Sequence, residues 1–247
     1  MTTVAVPGAE LYVERAGEGP PLLSISGSGS ALADGLRPAV LPFAKSFDVA
    51  GWDHRGLGES TSDGTPVTMA DFAADALAVA DSLGWQEFSV FGVSFGGMVA
   101  QELAVRAPER ITRLVLGCTS SGGAGGSSYP LHERPDLDTM AGIIDTRPGK
   151  AAELTQLMGS VRAVPKEPGY ELQLEARREH DVWDRLERIT APTLVQAGLF
   201  DGIAPPENSA RIASRIGGSV LKEYDGGHAF YFQDAAAWVD ALAFLEG

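Results

Sequence analysis

A serine set between two glycines is the feature of this chain best suited to chemistry. Ser94 lies in the run Gly92-Val-Ser-Phe-Gly96, after the β-branched and aromatic residues 88–91 and before the helix-forming residues 98–105. A strand, a one-residue reversal and a helix would hold the Ser94 hydroxyl at the apex of a strained turn, and the flanking glycines would remove side chains that clash there. The next backbone N–H, that of Phe95, would lie at a helix N-terminus and could bind an oxyanion.

The elements around Ser94 decide what this pattern means, since a chain with 30 glycines can contain Gly-x-Ser-x-Gly by chance. Buried or alternating apolar runs predict strands at residues 4–6, 10–14, 21–26, 47–53, 88–91, 111–116, 192–197 and 219–224. Helical spacing and capping residues predict helices near residues 36–45, 68–83, 98–105, 207–216 and 234–245. Strands and helices that alternate with short connections predict an α/β fold with a mainly parallel, doubly wound sheet.

The alternation of strands and helices breaks between residues 121 and 187. Residues 120–128 are rich in serine and glycine and predict a flexible link, and residues 129–187 show helical patches with no clear strand. Residues 1–120 and 188–247 are therefore predicted to form the α/β core, and residues 121–187 a helical cap inserted between two strands. Apolar residues in this cap have the spacing of one or two amphipathic helices: Leu137, Met140, Ile143, Ile144, Leu154, Leu157, Met158 and Val161.

The charge balance and the cysteine count limit the partners and the compartment. The 247 residues carry a formal net charge of −14, which repels polyanions, so neither nucleic acid nor a membrane is an expected partner. Cys118 is the only cysteine, so an intrachain disulfide is excluded. The first residues lack the basic and apolar regions of a signal peptide, and no apolar run is long enough to span a bilayer, so a cytoplasmic location is expected. Formation of a homo-oligomer is left open.

Two other glycine-rich runs do not match cofactor-binding motifs. Residues 122–126 lack the Lys-Ser or Lys-Thr that ends a phosphate loop. Leu32 stands where the run Gly27-Ser-Gly29 would need the third glycine of a dinucleotide fingerprint. The sequence contains neither a His-Glu-x-x-His pair nor a Cys/His cluster, so no metal and no other cofactor is expected.

Four motifs, taken in their order along the chain, resemble those of the α/β-hydrolase superfamily, and the resemblance covers nearly the whole chain. They are the run Gly92–Gly96, the run Asp53-His-Arg-Gly-Leu-Gly-Glu-Ser60, the run Gly198-Leu-Phe-Asp201 followed by Ile203 and Pro205, and the loop Gly226-Gly-His228. The chain looks most like the branch of small esterases, 3-oxoadipate enol-lactonases and haloperoxidase-like proteins that carry a helical cap. This resemblance implies the α/β-hydrolase fold, with a catalytic acid at Asp201 and a catalytic histidine at His228.

The chemistry implied by this resemblance needs each of these residue types. Ser94 is a poor nucleophile unless its proton is removed as it attacks, so His228 would act as the base. Asp201 would hold His228 in one tautomer and stabilise its imidazolium form. The oxyanion would be bound by the backbone N–H of Phe95 and, by resemblance, by that of Ser28.

The chain departs from the family pattern at the turn that carries Ser28. Ser26-Gly27 stands where the family usually has His-Gly. Because the turn would donate through its backbone, the oxyanion site is expected to survive this change, while the hydrogen bonds around it are expected to differ.

Other histidines compete with His228 for the role of base. His180 and Asp181 form a second pair, but adjacent residues on a predicted helix do not face each other, so a structural or cap-lining role is predicted. His54 lies inside a structural turn motif, in which Asp53 and Arg55 are expected to bind the backbone and each other.

The function predicted from these residues is a serine hydrolase that cleaves a small carboxylic ester or lactone through an acyl-enzyme. The same triad could instead hydrolyse a carbon–carbon bond, transfer an acyl group or form a peracid. The fold alone would also suit a non-catalytic binder of small molecules.

The cap is expected to line the site and to select a compact substrate, with contacts from Leu157, Met158 and Phe230. The alternative is that the apolar face of the cap only packs on the sheet. Four basic residues could anchor a substrate carboxylate, although charged runs are more often solvated: Arg162, Lys166, Arg177 and Arg178.

Overall fold

The sheet of the computed structural model runs through the centre of the molecule. The structure describes residues 2–34, 37–133, 136–160 and 168–247, and for residues 137 and 156–160 it describes the backbone alone. The strands are β1 Thr2–Val6, β2 Ala9–Ala16, β3 Pro21–Ile25, β4 Asp48–Trp52, β5 Phe88–Val93, β6 Ile111–Gly117, β7 Thr193–Gly198 and β8 Val220–Tyr224. They form one sheet in the order β1-β2-β4-β3-β5-β6-β7-β8, in which β1 and β2 are antiparallel to their neighbours and the other strands are parallel. The predicted α/β fold is confirmed.

Helices cover both faces of this sheet. They are α1 Met69–Ser82, α2 Phe95–Arg106, α3 Leu137–Ile144, α4 Lys150–Ser160, α5 Pro168–Arg178, α6 Pro206–Arg215, α7 Phe230–Gln233 and α8 Ala236–Glu246. Apolar side chains of α1, α2 and α6 pack on one face of the sheet, and those of α8 pack on the other. Both faces of the central parallel strands are therefore buried, as is usual for strands joined by helical crossovers.

The start of α1 shows how closely the local sequence determines an element. The Thr68 hydroxyl accepts a hydrogen bond from the backbone N–H of Asp71 at 3.4 Å, and the Asp71 carboxylate accepts one from the backbone N–H of Thr68 at 2.7 Å. This reciprocal capping box satisfies two N–H groups that the first turn of a helix leaves free. The helix begins at Met69, as its capping residues predict.

The weak helix predicted near residues 36–45 is wrong in type. The chain forms two short 3₁₀ turns instead, Pro38–Val40 and Pro42–Lys45, and Leu41 between them is extended. Proline disfavours the helical conformation of the residue before it and lacks an N–H, so Pro42 prevents a continuous α-helix here. Residue 36 lies outside the described part of the chain.

The chain between β6 and β7 departs from the sheet and contributes α3, α4, α5 and the 3₁₀ segment Trp183–Arg188. The helical character predicted for this insertion is therefore confirmed. The serine- and glycine-rich stretch before it packs closely. A Cβ at Gly122 would overlap the backbone carbonyl of His180, and one at Gly125 would lie 2.5 Å from the Trp183 ring. These glycines permit close approach to the end of the insertion.

Candidate active site

Ser94 occupies the sharp turn between β5 and α2. Its φ of 54° and ψ of −118° are strained for a residue with a side chain. A Cβ at Gly96 would overlap the backbone carbonyl of Ile25 on β3, and one at Gly92 would lie 2.8 Å from the Cβ of Ala100. Only glycine at these two positions lets α2 pack so closely on the strands, and this packing holds the turn in its strained conformation.

Hydrogen bonds from the neighbouring strand also hold the Ser94 backbone. The Ser94 N–H donates to the carbonyl of Gly117 at 2.8 Å, and the Thr119 hydroxyl donates to the Ser94 carbonyl at 2.8 Å. These two bonds fix the turn through the N–H and the carbonyl of Ser94. The Ser94 side chain lines a cavity above the sheet.

Three side chains from distant parts of the chain meet at this turn. The distance from Ser94 Oγ to His228 Nε2 is 2.9 Å, and that from His228 Nδ1 to Asp201 Oδ2 is 2.8 Å. Asp201 is buried, and its other oxygen, Oδ1, accepts the backbone N–H groups of Ile203 and Ala204 at 2.8 Å each. These two bonds fix the carboxylate so that its second oxygen faces the imidazole.

The loops that carry Asp201 and His228 are bonded to the end of α3. The backbone N–H of His228 donates to the carbonyl of Ile144 at 2.6 Å, and that of Gly202 donates to the carbonyl of Ile143 at 2.9 Å. The last carbonyls of a helix lack intrahelical partners, so α3 has acceptors available at this end. A Cβ at Gly227 would overlap the Ile144 carbonyl, which explains the glycine before His228.

The turn after β3 lies directly beside Ser94. A Cβ at Gly27 would lie 3.4 Å from the Cβ of Ser94. The backbone N–H of Gly29 donates to the side-chain Oε1 of Gln173, on α5 of the insertion, at 2.7 Å. This contact, which sequence reasoning did not identify, joins α5 to the turn that carries Ser28. Phe95 is the first residue of α2 and its N–H has no intrahelical acceptor.

A cavity of about 320 Å³ opens around Ser94 and His228 and is lined mostly by apolar side chains. It has two lobes. The insertion-side lobe is lined by Leu131, Met140, Ile144 and Tyr170. The sheet-side lobe is lined by Ser24, Leu41, Phe91, Cys118, Tyr231 and Trp238. The sequence analysis identified Met140 and Ile144 as part of an amphipathic face, but it did not identify the side chains of the sheet-side lobe.

The substrate contacts predicted from the sequence are placed differently. Phe230 does not line the cavity, because its ring is fully buried between Tyr224 and Tyr231, at centroid distances of 5.2 Å and 4.3 Å. Its chain neighbours His228 and Ala229 line the cavity in its place. Leu157 and Met158 belong to α4, and their side chains lie outside the described part of the structure.

The other candidate histidines lie away from Ser94. His54 is buried among Trp52, Phe72 and Phe95, and this burial lowers its pKa to about 4. His180 follows the end of α5, so the helix predicted at this residue is wrong, and burial lowers its pKa to about 4 as well. Neutral, buried rings of this kind are suited to packing rather than to proton transfer at Ser94.

The turn motif that contains His54 is held differently from the expectation. Asp53 does bind the backbone, accepting the N–H groups of Leu32 and Glu59 at 2.6 and 2.9 Å. Arg55 does not pair with Asp53; its Nε and Nη2 donate to the buried carboxylate of Asp75 at 2.8 and 2.6 Å. Both carboxylate oxygens of Asp53 already accept backbone N–H groups, so Arg55 pairs with Asp75 instead.

Arg177 and Arg178, the two described residues among those considered as a carboxylate anchor, do not line the cavity at Ser94. Arg177 and Arg178 line a separate, smaller cavity of about 170 Å³ together with His132 and His180. Burial lowers the pKa of Arg177, and its Nη2 donates to the carbonyl of Tyr129 at 3.2 Å. Arg162 and Lys166 lie outside the described residues.

Within the described ranges, no helix is long and apolar enough to cross a membrane. In the same ranges, no three or more His, Cys, Asp or Glu side chains are grouped so that they could hold a metal ion.

Comparisons with known proteins agree with this fold. Residues 27–155 match a family model described as alpha/beta hydrolase fold. The chain is 30% identical over 237 residues to an Azorhizobium caulinodans protein provisionally named carbamate hydrolase RutD, with 90% of this chain and 89% of that protein covered. It is 31% identical over 236 residues to a poly(3-hydroxyalkanoate) depolymerase of Ectopseudomonas oleovorans, with coverage of 88% and 81%. The enol-lactonase structure from Burkholderia xenovorans LB400 is similar over 100% of both chains, with a TM-score of 0.81 and 26% identity.

The chain belongs to the α/β-hydrolase family, and it is a hydrolase of that family. The resemblance drawn from the four motifs is therefore confirmed, including the likeness to the enol-lactonase branch.

Proposed function

We propose that this protein is a serine hydrolase that cleaves a small carboxylic ester or lactone through an acyl-enzyme. The observation that carries the proposal is the continuous contact from Ser94 Oγ through His228 to Asp201, at 2.9 and 2.8 Å, at the floor of a largely apolar cavity. A serine on a strained turn, a histidine within hydrogen-bond reach and a buried carboxylate behind it form the constellation that activates a hydroxyl nucleophile.

In the first half of the reaction, Ser94 Oγ bonds to the carbonyl carbon of the substrate while its proton passes to His228 Nε2. The carbonyl oxygen becomes an oxyanion, which the backbone N–H groups of Phe95 and Ser28 would bind. Asp201 stabilises the imidazolium that forms and keeps its Nε2 directed at the reacting atoms. The bond to the leaving oxygen then breaks, and that oxygen takes the proton from His228.

In the second half, water replaces the departed alcohol. His228 removes a proton from this water as its oxygen attacks the acyl carbon, and the bond to Ser94 Oγ then breaks while the proton returns to Ser94. The product is a carboxylic acid, or a hydroxy acid where the substrate is a lactone. In this proposal, residues 121–187 act as a cap and residues 1–120 and 188–247 as the catalytic core.

Replacement of the nucleophile tests this proposal. We expect Ser94→Ala to lower kcat for p-nitrophenyl butyrate by about a thousandfold to a millionfold, since members of a triad act as a unit. An aryl fluorophosphonate should label Ser94 in the wild-type protein and label nothing in Ser94→Ala. Ser214→Ala, on an exposed serine near the end of α6, is the matched control and should behave as the wild type. An active Ser94→Ala protein would rule out the serine mechanism.

Cleavage of a carbamate is the second candidate, because one relative that is 30% identical is named for that activity. The same triad would attack the carbamate carbonyl, with nitrogen in place of oxygen as the leaving atom. The largely apolar lining of the cavity favours the ester or lactone. A panel of neutral esters, lactones and carbamates assayed at equal concentrations separates the two, and a preference for carbamates would replace the first proposal.

A further inference from the structure

The sheet-side lobe of the cavity extends from Ser94 along one face of the sheet. Phe91 and Val93 alternate with Gly92 on β5, so both point to this face. Ser24 on β3 is paired in register with Phe91 on β5. Phe91 lies three residues before Ser94, so the lobe reaches about 10 Å from the nucleophile at the rise of a β-strand.

A thin partition of side chains ends this lobe. Leu41 and Trp238 line the lobe, and they also line a groove on the outer surface of the molecule, together with Val40 and Lys45. The Trp238 ring stacks on Phe91 at a centroid distance of 5.5 Å. Leu41 and Trp238 therefore lie between the active-site cavity and the outer groove.

The walls of the lobe carry no charge and few free polar groups. Among the described residues that line the whole cavity, none is Lys, Arg, Asp or Glu. The Tyr231 hydroxyl is engaged by Gln196 Oε1 at 2.7 Å. Burying a charged group in such a space costs free energy, whereas an alkyl chain gains free energy with each methylene that it buries.

The position of the lobe also indicates which part of a substrate it suits. The acyl part stays bonded to Ser94 after the alcohol has left, so it needs a site that is enclosed throughout the reaction. Leu41, Phe91 and Tyr231 are all buried, and they enclose the sheet-side lobe. Phe232, which lines the same cavity, is 77% exposed and marks where the cavity meets solvent. The alcohol can leave through that opening.

We propose that the sheet-side lobe binds an uncharged aliphatic acyl chain, and that Leu41 and Trp238 set the length of chain that fits. The proposal rests on the proposed function for its chemistry, and it names the substrate class of the same site. The sequence predicted that the inserted helices select a compact substrate, whereas this proposal assigns selection of the acyl chain to residues of the sheet-side lobe.

The experiment compares p-nitrophenyl acetate, butyrate, octanoate and laurate, which differ in the acyl chain. Ser24→Leu places a larger side chain in the lobe, so we expect kcat/KM for octanoate to fall about tenfold or more relative to that for acetate. Trp238→Ala and Leu41→Ala remove the partition, so both should shift the preference from octanoate towards laurate. The ratio of kcat/KM for two esters in one preparation does not depend on how much of the protein is folded.

Phe244→Ala is the matched control for Trp238→Ala. Phe244 lies on the same helix and packs against the same buried cluster, but it does not line the cavity. It should lose stability and keep the wild-type selectivity. A series of alkyl acetates, which differ in the alcohol, should respond less to Ser24→Leu than the acyl series does. An unchanged octanoate-to-acetate ratio in Ser24→Leu would overturn the proposal. So would an unchanged laurate-to-octanoate ratio in Trp238→Ala, or a change confined to the alcohol series.

Octanoate itself tests the lobe without turnover. Its carboxylate would lie at Ser94 and its chain in the lobe, so calorimetric binding to Ser94→Ala should weaken about tenfold or more when Ser24→Leu is added. If no ester is cleaved by the wild-type protein, the hydrolase proposal fails and this binding measurement alone decides on the lobe. Octanoate binding that is insensitive to Ser24→Leu would overturn the lobe as the chain site.

Discussion

The serine side and the histidine side of the site are held in place by different interactions. Ser94 is fixed by steric fit within the core, where Gly92 and Gly96 let α2 pack directly on the strands. His228 and the loop after Asp201 are bonded to the carbonyls at the end of α3, and the turn that carries Ser28 is bonded to Gln173 on α5. Helices inserted between two strands therefore help to hold the loops of the proposed active site in place.

This difference has a consequence for how each side can fail. A close-packed turn between a strand and a helix cannot relax without moving the core, because protein interiors are packed as densely as organic crystals. A loop held by single hydrogen bonds can lose one of them and shift by a fraction of an ångström. Changes on the serine side should therefore affect folding and activity together, and changes at the inserted helices should affect mainly activity.

The largest effect is expected for Gly96→Ala, which would break the serine side. Its Cβ would overlap the backbone carbonyls of Ile25 and Ser26, which cannot move independently of the sheet. We expect a loss of about 3 kcal/mol of unfolding free energy and a loss of about a thousandfold in kcat/KM. Urea denaturation and ester hydrolysis measure the two. At Gly217 a Cβ would meet no atom within 4 Å, so Gly217→Ala is the control and should change neither.

A smaller effect is expected for Gln173→Met, which removes the hydrogen-bond acceptor of Gly29 while it keeps the length of the side chain. The turn that carries Ser28 would lose its tie to α5, so we expect kcat to fall about tenfold to a hundredfold with little change in KM. Gln173→Glu keeps an acceptor oxygen at the same position and should recover most of kcat.

Gln196→Met is the control for this substitution. Gln196 is also a fully buried glutamine, but its amide group bonds Tyr224, Tyr231 and the carbonyl of Ala237, and it makes no hydrogen bond to the turn that carries Ser28. Its substitution should lower stability and leave kcat close to the wild-type value. A rise in KM with unchanged kcat in Gln173→Met would mean that α5 contacts the substrate instead of positioning the turn.

The smallest effect on activity is expected from the two buried histidines, one in each region, because they act on the pH dependence of stability. Burial lowers the pKa of His54, in the core, and of His180, in the insertion, from 6.5 to about 4. The unfolded chain therefore binds more protons than the folded protein between these pH values, so stability is full above about pH 6.5 and is lost as the pH falls towards 4. Each histidine should account for roughly 3 kcal/mol over this range.

Replacement of one ring at a time checks this estimate. His54→Phe keeps an aromatic ring against Trp52, Phe72 and Phe95, and it should flatten the decline in unfolding free energy between pH 6.5 and 4 by about half of the two-histidine contribution. His132→Asn, at an exposed position, is the control and should leave the decline as it is. A decline that is equally steep in His54→Phe would show that other groups cause it.

Much of the site could be predicted because its signals are local. The glycines in the run Gly92–Gly96 indicate a tight turn at Ser94, and the glycines before His228 indicate a close approach of the backbone there. The strand pattern before each of these loops then places them at one edge of a parallel sheet, where the carboxyl ends of the strands meet. The predicted contact at Phe230 was wrong because adjacent residues of a short helix point in different directions, and the sequence does not show which of them faces the cavity.

The sequence by itself determined the order of the strands and helices, the strained turn at Ser94 and the set of side chains that could do chemistry there. These depend on periodicity and on backbone sterics within a few residues. Only the tertiary structure decided that Gln173 binds Gly29, that Arg55 pairs with Asp75 and that Leu41 and Trp238 close a lobe behind Ser94. Each of these contacts joins segments far apart in the chain, and local sequence patterns contain no information on which distant side chains the packing of the sheet will bring together.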